Sequence, residues 1–180
     1  MRIVAGEWRG RKLAAPRGEA TRPTADRTRE TLFNMLTSRL GTFEGLQVAD
    51  LFAGSGALGI EALSRGAARC IFVEQDGEAL KAIRANIAAL DARERCDVRA
   101  TSVLALAASP APLDLLLLDP PYGTGAGAVA LDRLLRLGWI GEGSWMAVET
   151  GAKETVEVKG LAIDAERVVG KAKLTLLRAE

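Results

Sequence analysis

The 180-residue sequence contains no histidine. Without imidazole, a Ser-His-Asp triad, a Cys-His pair and a zinc site as usually built are all excluded, and no metal is expected. Cysteine is nearly as scarce. Cys70 and Cys96 are the only two, each lies in an apolar, strand-like run, and both read as reduced core residues. Long apolar runs are missing too: none approaches the roughly 18 residues that span a bilayer. The first ten residues are polar and basic rather than the start of an export signal, so a cytoplasmic protein without a membrane partner is expected. With no obvious exposed apolar segment, the expected state is a monomer.

What is present suffices for one compact unit, since 48% of the residues are apolar. The net charge of +1 conceals an asymmetry. Residues 1–40 hold nine Lys and Arg against four Asp and Glu, leaving 15 against 19 for the remainder. A basic N-terminal segment on a mildly acidic body implies that one end meets a polyanion.

From residue 47 onward, short apolar runs alternate with segments of helical period, the pattern of βα units around a parallel sheet. Strands are expected at 47–52, 69–74, 96–101, 113–119 and 144–149. Helices are expected at 58–65, 78–90 and 126–137, with apolar spacing such as Leu80, Ile83 and Ile87. After Glu149 the helical pattern stops. Residues 162–169 and 173–178, with Gly170-Lys171 near the turn, read as an antiparallel pair closing the sheet. Ahead of this body, residues 2–5 and 8–14 are expected to form a hairpin around Gly6-Glu7. A turn-rich link at 16–23 leads to a helix at 26–40, whose stripe of Leu32, Phe33, Leu36 and Leu40 docks on the body. The division is therefore an arm, 1–40, on a main domain, 41–180.

Gly54, Gly56 and Gly59 form a G-x-G-x-x-G at the end of the first strand and the start of a helix. Glycines there let backbone N–H groups and a helix N-terminus approach a ligand closely. Glu74, about 20 residues on, ends the second strand, where a carboxylate can accept hydrogen bonds from both ribose hydroxyls. A dinucleotide and S-adenosylmethionine both fit this far. Asp50 and the small-residue run 53–56 favour S-adenosylmethionine, because a ligand carrying a sulfonium and an ammonium welcomes carboxylates and a pyrophosphate does not.

Asp119-Pro120-Pro121-Tyr122 follows a fully apolar strand and belongs at the mouth of the same crevice. An exocyclic base amine is a poor nucleophile, since its lone pair is delocalised into the ring. Asp119 and the Pro120 carbonyl can each accept one N–H and turn the lone pair toward an activated methyl group. Pro120 and Pro121 hold those acceptors in one pose, and Tyr122 can stack on an unpaired base. In the arm, Arg2, Arg9, Arg11, Lys12, Arg22 and Arg27, with Trp8 among them, are candidate nucleic-acid contacts. The Arg9-Gly10-Arg11 alternation is expected to set two guanidiniums on one side of a strand.

The runs 2–13 and 22–36, the glycine loop at 50–59, the run 66–74 and the motif 119–122 together resemble the RsmD family of bacterial small-subunit ribosomal RNA guanine-N2 methyltransferases. The resemblance covers nearly the whole chain in order. It implies a class I, Rossmann-like methyltransferase with a seven-stranded, mostly parallel sheet and an antiparallel last strand. It further implies S-adenosylmethionine at Asp50, Phe52, Ala53, Gly54, Ser55, Gly56, Glu74 and Gln75, and a target amine at Asp119–Tyr122. The implied substrate is one guanine of 16S RNA in an assembled small subunit. Thr24, Asp26 and Arg29 are placed at the cofactor's methionine end. One departure concerns adenine: many relatives carry Asp or Asn after the third strand, where this chain has Thr101-Ser102, so a hydroxyl or backbone groups take that role. Three rivals stand beside this reading. They are adenine-N6 methylation of DNA, which shares Asp-Pro-Pro-Tyr but calls for a separate recognition domain; a nicotinamide oxidoreductase, without an evident hydride-transfer partner; and a non-catalytic RNA-binding factor, which leaves Asp119–Tyr122 unexplained.

Overall fold

Four consecutive leucines, Leu115–Leu118, are each at most 1% exposed, which a strand achieves only when both faces of its sheet are covered. In the computed structural model, which describes residues 1–16 and 23–180, that strand (β4) lies at the centre of a seven-stranded sheet. The elements run α1 (Pro23–Leu40), β1 (Gln47–Leu51), α2 (Ala57–Ser64), β2 (Arg69–Glu74), α3 (Gly77–Ala89), β3 (Cys96–Ala100), β4, α4 (Ala126–Arg136), β5 (Trp145–Gly151), β6 (Leu161–Val169) and β7 (Ala172–Ala179). Strand order is β3-β2-β1-β4-β5-β7-β6; β1 to β5 are parallel, and β7 runs antiparallel between β5 and β6. The order reverses between β1 and β4, the switch point at which open α/β sheets bind ligands outside the carboxyl ends of their strands.

Alternate residues of each strand feed two cores. Val48, Phe72, Leu115 and Leu117 pack with Leu32, Phe33, Leu36, Ile60, Leu63 and Ile83 of the first three helices. Ala49, Leu51, Val73, Leu116 and Leu118 face the other side, under Leu131 and Leu134 of α4 with Trp139 and Ile140. No helix among the described residues is long and apolar enough to cross a membrane.

The arm forms only a minimal version of the expected hairpin around Gly6-Glu7. Among the described residues a single bridge, Arg2 to Lys12, joins its limbs, with Ile3 N donating to Arg11 O at 3.0 Å and Leu13 N to Met1 O at 2.9 Å. Other backbone donors of the arm are captured by α2. Val4 and Ala5 donate to the Glu61 carboxylate at 2.9 and 3.1 Å, Glu7 to the Ser64 carbonyl at 2.7 Å, and Trp8 to Ser64 Oγ at 3.0 Å. Gly6 permits this approach, because a Cβ there would lie 1.9 Å from the Ser64 carbonyl oxygen. Residues 7–10 are therefore a turn, so Arg9 and Arg11 do not share a strand face. The expected link at 16–23 falls largely outside the described residues. Both cysteines are free thiols, but only Cys70 is buried; Cys96, opposite it in register, is half-buried at the edge strand β3. Burial still pushes the Cys96 thiol up to about 11, so it stays protonated and inert.

Candidate active site

The glycine loop is built by its side chains as much as by its glycines. Gly56, left-handed at φ 81°, opens α2 without a side-chain cap of its own. Asp50, 1% exposed on β1, supplies one from below: its Oδ2 accepts from Gly59 N at 2.9 Å. Its Oδ1 has no hydrogen-bond partner among the described residues. Burial, with a smaller contribution from the Glu74 charge, pushes this carboxyl up from 3.8 to about 8. A buried carboxyl oxygen lacking a partner fits a ligand that brings a cationic donor. Gly59 has the packing role of the motif's third glycine, since a Cβ would meet the Phe72 ring at 2.5 Å and Cys70 Sγ at 2.6 Å.

Phe52, a non-glycine residue at φ 58°, and Gly54, at φ 57°, both turn the backbone left-handed. Such backbone strain concentrates at ligand sites. Ala53 N donates to Val73 O at 3.1 Å, and Glu74 closes the loop on β2. Glu74 Oε1 accepts from Gly54 N at 2.8 Å, and Oε2 accepts from Gln75 N and Asp76 N at 2.9 and 2.8 Å. Thr101 is tied to the same strand end by its N–H, 3.0 Å from the Glu74 carbonyl oxygen. Ser102 Oγ caps the short turn that follows, accepting from Leu104 N at 3.2 Å.

Asp119 is exposed just past β4, and its N–H reaches Leu51 O at 3.4 Å, so the motif stands directly beside the glycine loop. Pro120 is buried, and Gly127 accommodates it: a Cβ there would lie 3.3 Å from Pro120 Cγ. Tyr122, 48% exposed, donates its hydroxyl to Glu149 Oε2 at 2.6 Å.

The arm residues divide. Arg2, Arg9, Arg11, Lys12 and Arg27 are exposed, although Arg2 and Arg11 already donate to the Gly10 and Ala89 carbonyls at 2.8 and 2.9 Å. Trp8 is not open to a base. It is buried in the core with the Arg95 guanidinium 5.2 Å from its ring, because its indole closes the gap between the arm and α2. Arg22 and the Thr24 side chain lie outside the described residues. Asp26 pairs with Arg29 at 3.2 Å. Arg29 is buried and faces Glu61 at 3.7 Å and the Arg2 carbonyl, so it clamps α1 to the arm and α2.

Three residues escaped the sequence reading. Glu61 is the first, a lone charge in the apolar run of α2. The second is Asn86, on the apolar stripe of α3 beside Ile83 and Ile87. It accepts from Ala14 N at 2.7 Å and donates to Ala14 O and Ser55 O, each at 3.0 Å, joining the arm to the glycine loop. A lone polar residue on an apolar helix face is the signal that marks both. The third is Glu149, whose place beside Tyr122 depends on strand register.

A family model described as "conserved hypothetical protein 95" matches residues 1–178. The chain belongs to this family. The RsmD resemblance read from the sequence is borne out by relatives along the whole chain. Ribosomal RNA small subunit methyltransferase D of Escherichia coli K12 is 35% identical over 182 residues, covering 100% of this chain and 90% of that protein. The Haemophilus influenzae protein of the same name is 38% identical over 154 residues, 83% of this chain and 78% of its own length. Among solved structures, yhhF of Escherichia coli superimposes with a TM-score of 0.83 at 36% identity, covering 100% of this chain and 98% of that one. The α/β Rossmann-like methyltransferase fold is thereby shown.

Proposed function

We propose that this chain transfers a methyl group from S-adenosylmethionine to the exocyclic N2 amine of a guanine in 16S ribosomal RNA, acting in the cytosol on the small subunit as a monomer. The observation that carries the reading is the Asp119 N–H bond to Leu51 at 3.4 Å, which sets an amine-holding motif beside a loop suited to the cofactor. The bound cofactor supplies a methyl already activated by its sulfonium. Glu74 offers its carboxylate to the ribose hydroxyls, and Asp50 offers its unpartnered oxygen toward the methionine ammonium. The loop residues Phe52–Gly56, with Gln75, Thr101 and Ser102, complete the cofactor's surroundings.

Asp119 and the Pro120 carbonyl each accept a hydrogen bond from one amine N–H, which turns the nitrogen lone pair toward the methyl group. The buried Pro120 ring keeps those acceptors fixed, and Tyr122 supports the base plane. The arm 1–40 serves as the RNA-facing unit on the body 41–180, with Arg2, Arg9, Arg11, Lys12, Arg22 and Arg27 meeting phosphates.

The test is transfer of labelled methyl to small subunits from a strain lacking the protein, run beside naked 16S RNA and duplex DNA, with nucleoside analysis of the product. N2-methylguanosine in the subunit RNA is the expected result. N6-methyladenine in DNA, or no transfer to any substrate, overturns the reading. Asp119→Ala is expected to lower kcat by about 100-fold or more while leaving cofactor affinity nearly intact. Equal loss of both would reassign the carboxylate to the cofactor.

A further inference from the structure

A guanine is distinguished from other purines with an amine at the same edge by its N1–H. Guanine presents two adjacent donors, N1–H and N2–H, whereas adenine and 2-aminopurine present a lone pair at N1. One carboxylate, Asp119, is already engaged with the amine. A second acceptor beside it would read the neighbouring position.

Strand register supplies one. β4 and β5 are parallel with Leu118 opposite Val148, so Asp119 and Glu149 occupy equivalent positions one step further along adjacent strands. Glu149 is half-buried at the crevice mouth. Its place is fixed by the motif itself, through the 2.6 Å bond from the Tyr122 hydroxyl to Oε2. The Tyr122 ring lies along the end of β5, where a Cβ added to Gly151 would be 3.8 Å from its Cδ2. Burial first, then the bond to Glu149 and the nearby charges of Glu149, Asp119 and Glu154, push the phenol well above its ordinary value. The phenol therefore stays protonated and donates to Glu149, which leaves the second carboxylate oxygen for another donor.

We propose that Glu149 is a specificity-determining residue, accepting N1–H of the guanine whose N2 amine is held by Asp119 and Pro120. The inference rests on the guanine-N2 reading above and extends it to base selection. A lone pair at N1 would face the carboxylate unpaired, the situation in which enzymes reject an analogue most strongly.

2-Aminopurine is the probe, because it keeps the amine at C2 and lacks the N1–H. Small subunits reconstituted with either guanine or 2-aminopurine at the target position are methylated by the wild-type protein and by Glu149→Gln. The wild type is expected to favour guanine by at least about 100-fold in kcat/KM. Glu149→Gln, whose amide can donate to N1, is expected to lose rate on guanine, gain on 2-aminopurine and bring the ratio toward one. Loss of O6 in 2-aminopurine affects both proteins alike, so the change in ratio isolates N1. Glu149→Asp retains the carboxylate and is expected to keep the preference at a reduced rate. An unchanged ratio in Glu149→Gln, or no discrimination by the wild type, overturns the proposal while leaving guanine methylation standing. Failure of the wild type to methylate guanine at all overturns the underlying reading instead.

Discussion

Asp50 has two structural duties, which pull its ionisation in opposite directions. The bond from Gly59 N favours the carboxylate, while burial disfavours it more strongly, with the net result of about 8. Because this folded value exceeds the ordinary 3.8, the proton is held more tightly in the folded chain. That contribution to stability is complete below 3.8 and is lost as pH rises through about 8. Asp50→Asn keeps an acceptor for Gly59 and removes the titration. Its melting temperature should fall less between pH 4 and pH 8 than that of the wild type, a difference thermal unfolding across that range would reveal; parallel profiles would assign the slope to other groups. The sequence marks Asp50 for the ligand on charge alone. Its role as the cap of α2 is illegible there, since that needs the strand to pass beneath the helix start, a relation with no fixed residue spacing.

Among the elements, α2 shows how a short apolar helix can organise a molecule through one charge. Glu61, 1% exposed, receives Val4 and Ala5 and pairs with Arg65 at 2.9 Å and Arg29 at 3.7 Å. Glu61→Ala would leave the buried Arg29 guanidinium without its α2 partner and two arm N–H groups without acceptors. A loss of roughly 3–5 kcal/mol is expected. Chemical denaturation should register it, together with faster proteolysis of residues 1–16; an unperturbed arm would show that the core packing of Ile3, Trp8 and Leu13 suffices. Strand and helix existence is legible in the centre of the body because apolar period tracks the two covered faces, whereas the edge strand β3 is only half-buried and β6 is largely exposed. The arm is only partly legible, because beyond a single bridge the N–H groups of Val4, Ala5, Glu7 and Trp8 go to α2 rather than to a ladder. A sequence window sees propensity and period, and the bonds from Val4 and Ala5 to α2 span 57 and 56 residues. Glu149 is missed for the same reason, since register across parallel strands is set by the connecting helix.

At the scale of the whole molecule, the charge asymmetry becomes a geometry. The basic segment shares one core with α1, α2 and α3 and so presents its cations from a fixed position, with Glu7 and Trp8 held at the end of α2 by Ser64 and Arg11 at the end of α3 by Ala89. Arg9, Lys12 and Arg27 are exposed there. Replacing all three with alanine should weaken RNA binding and reduce the slope of log K against log salt by roughly 0.7–0.9 for each phosphate that is no longer neutralised. Cofactor affinity should be unaffected; an unchanged slope in a filter-binding titration would remove this surface from the RNA interface.

The placement of β7 also has a consequence in time. Of the seven strands it is the last to be synthesised, yet it stands inside the sheet, with Leu174, Leu176 and Leu177 fully buried between β5 and β6. Until those residues have been made, β5 exposes an open edge and β6 has nothing to pair with. The nascent chain can therefore assemble its glycine loop early but must wait for β7 to seal the sheet on the side that carries Glu149, leaving an adhesive edge in the interval.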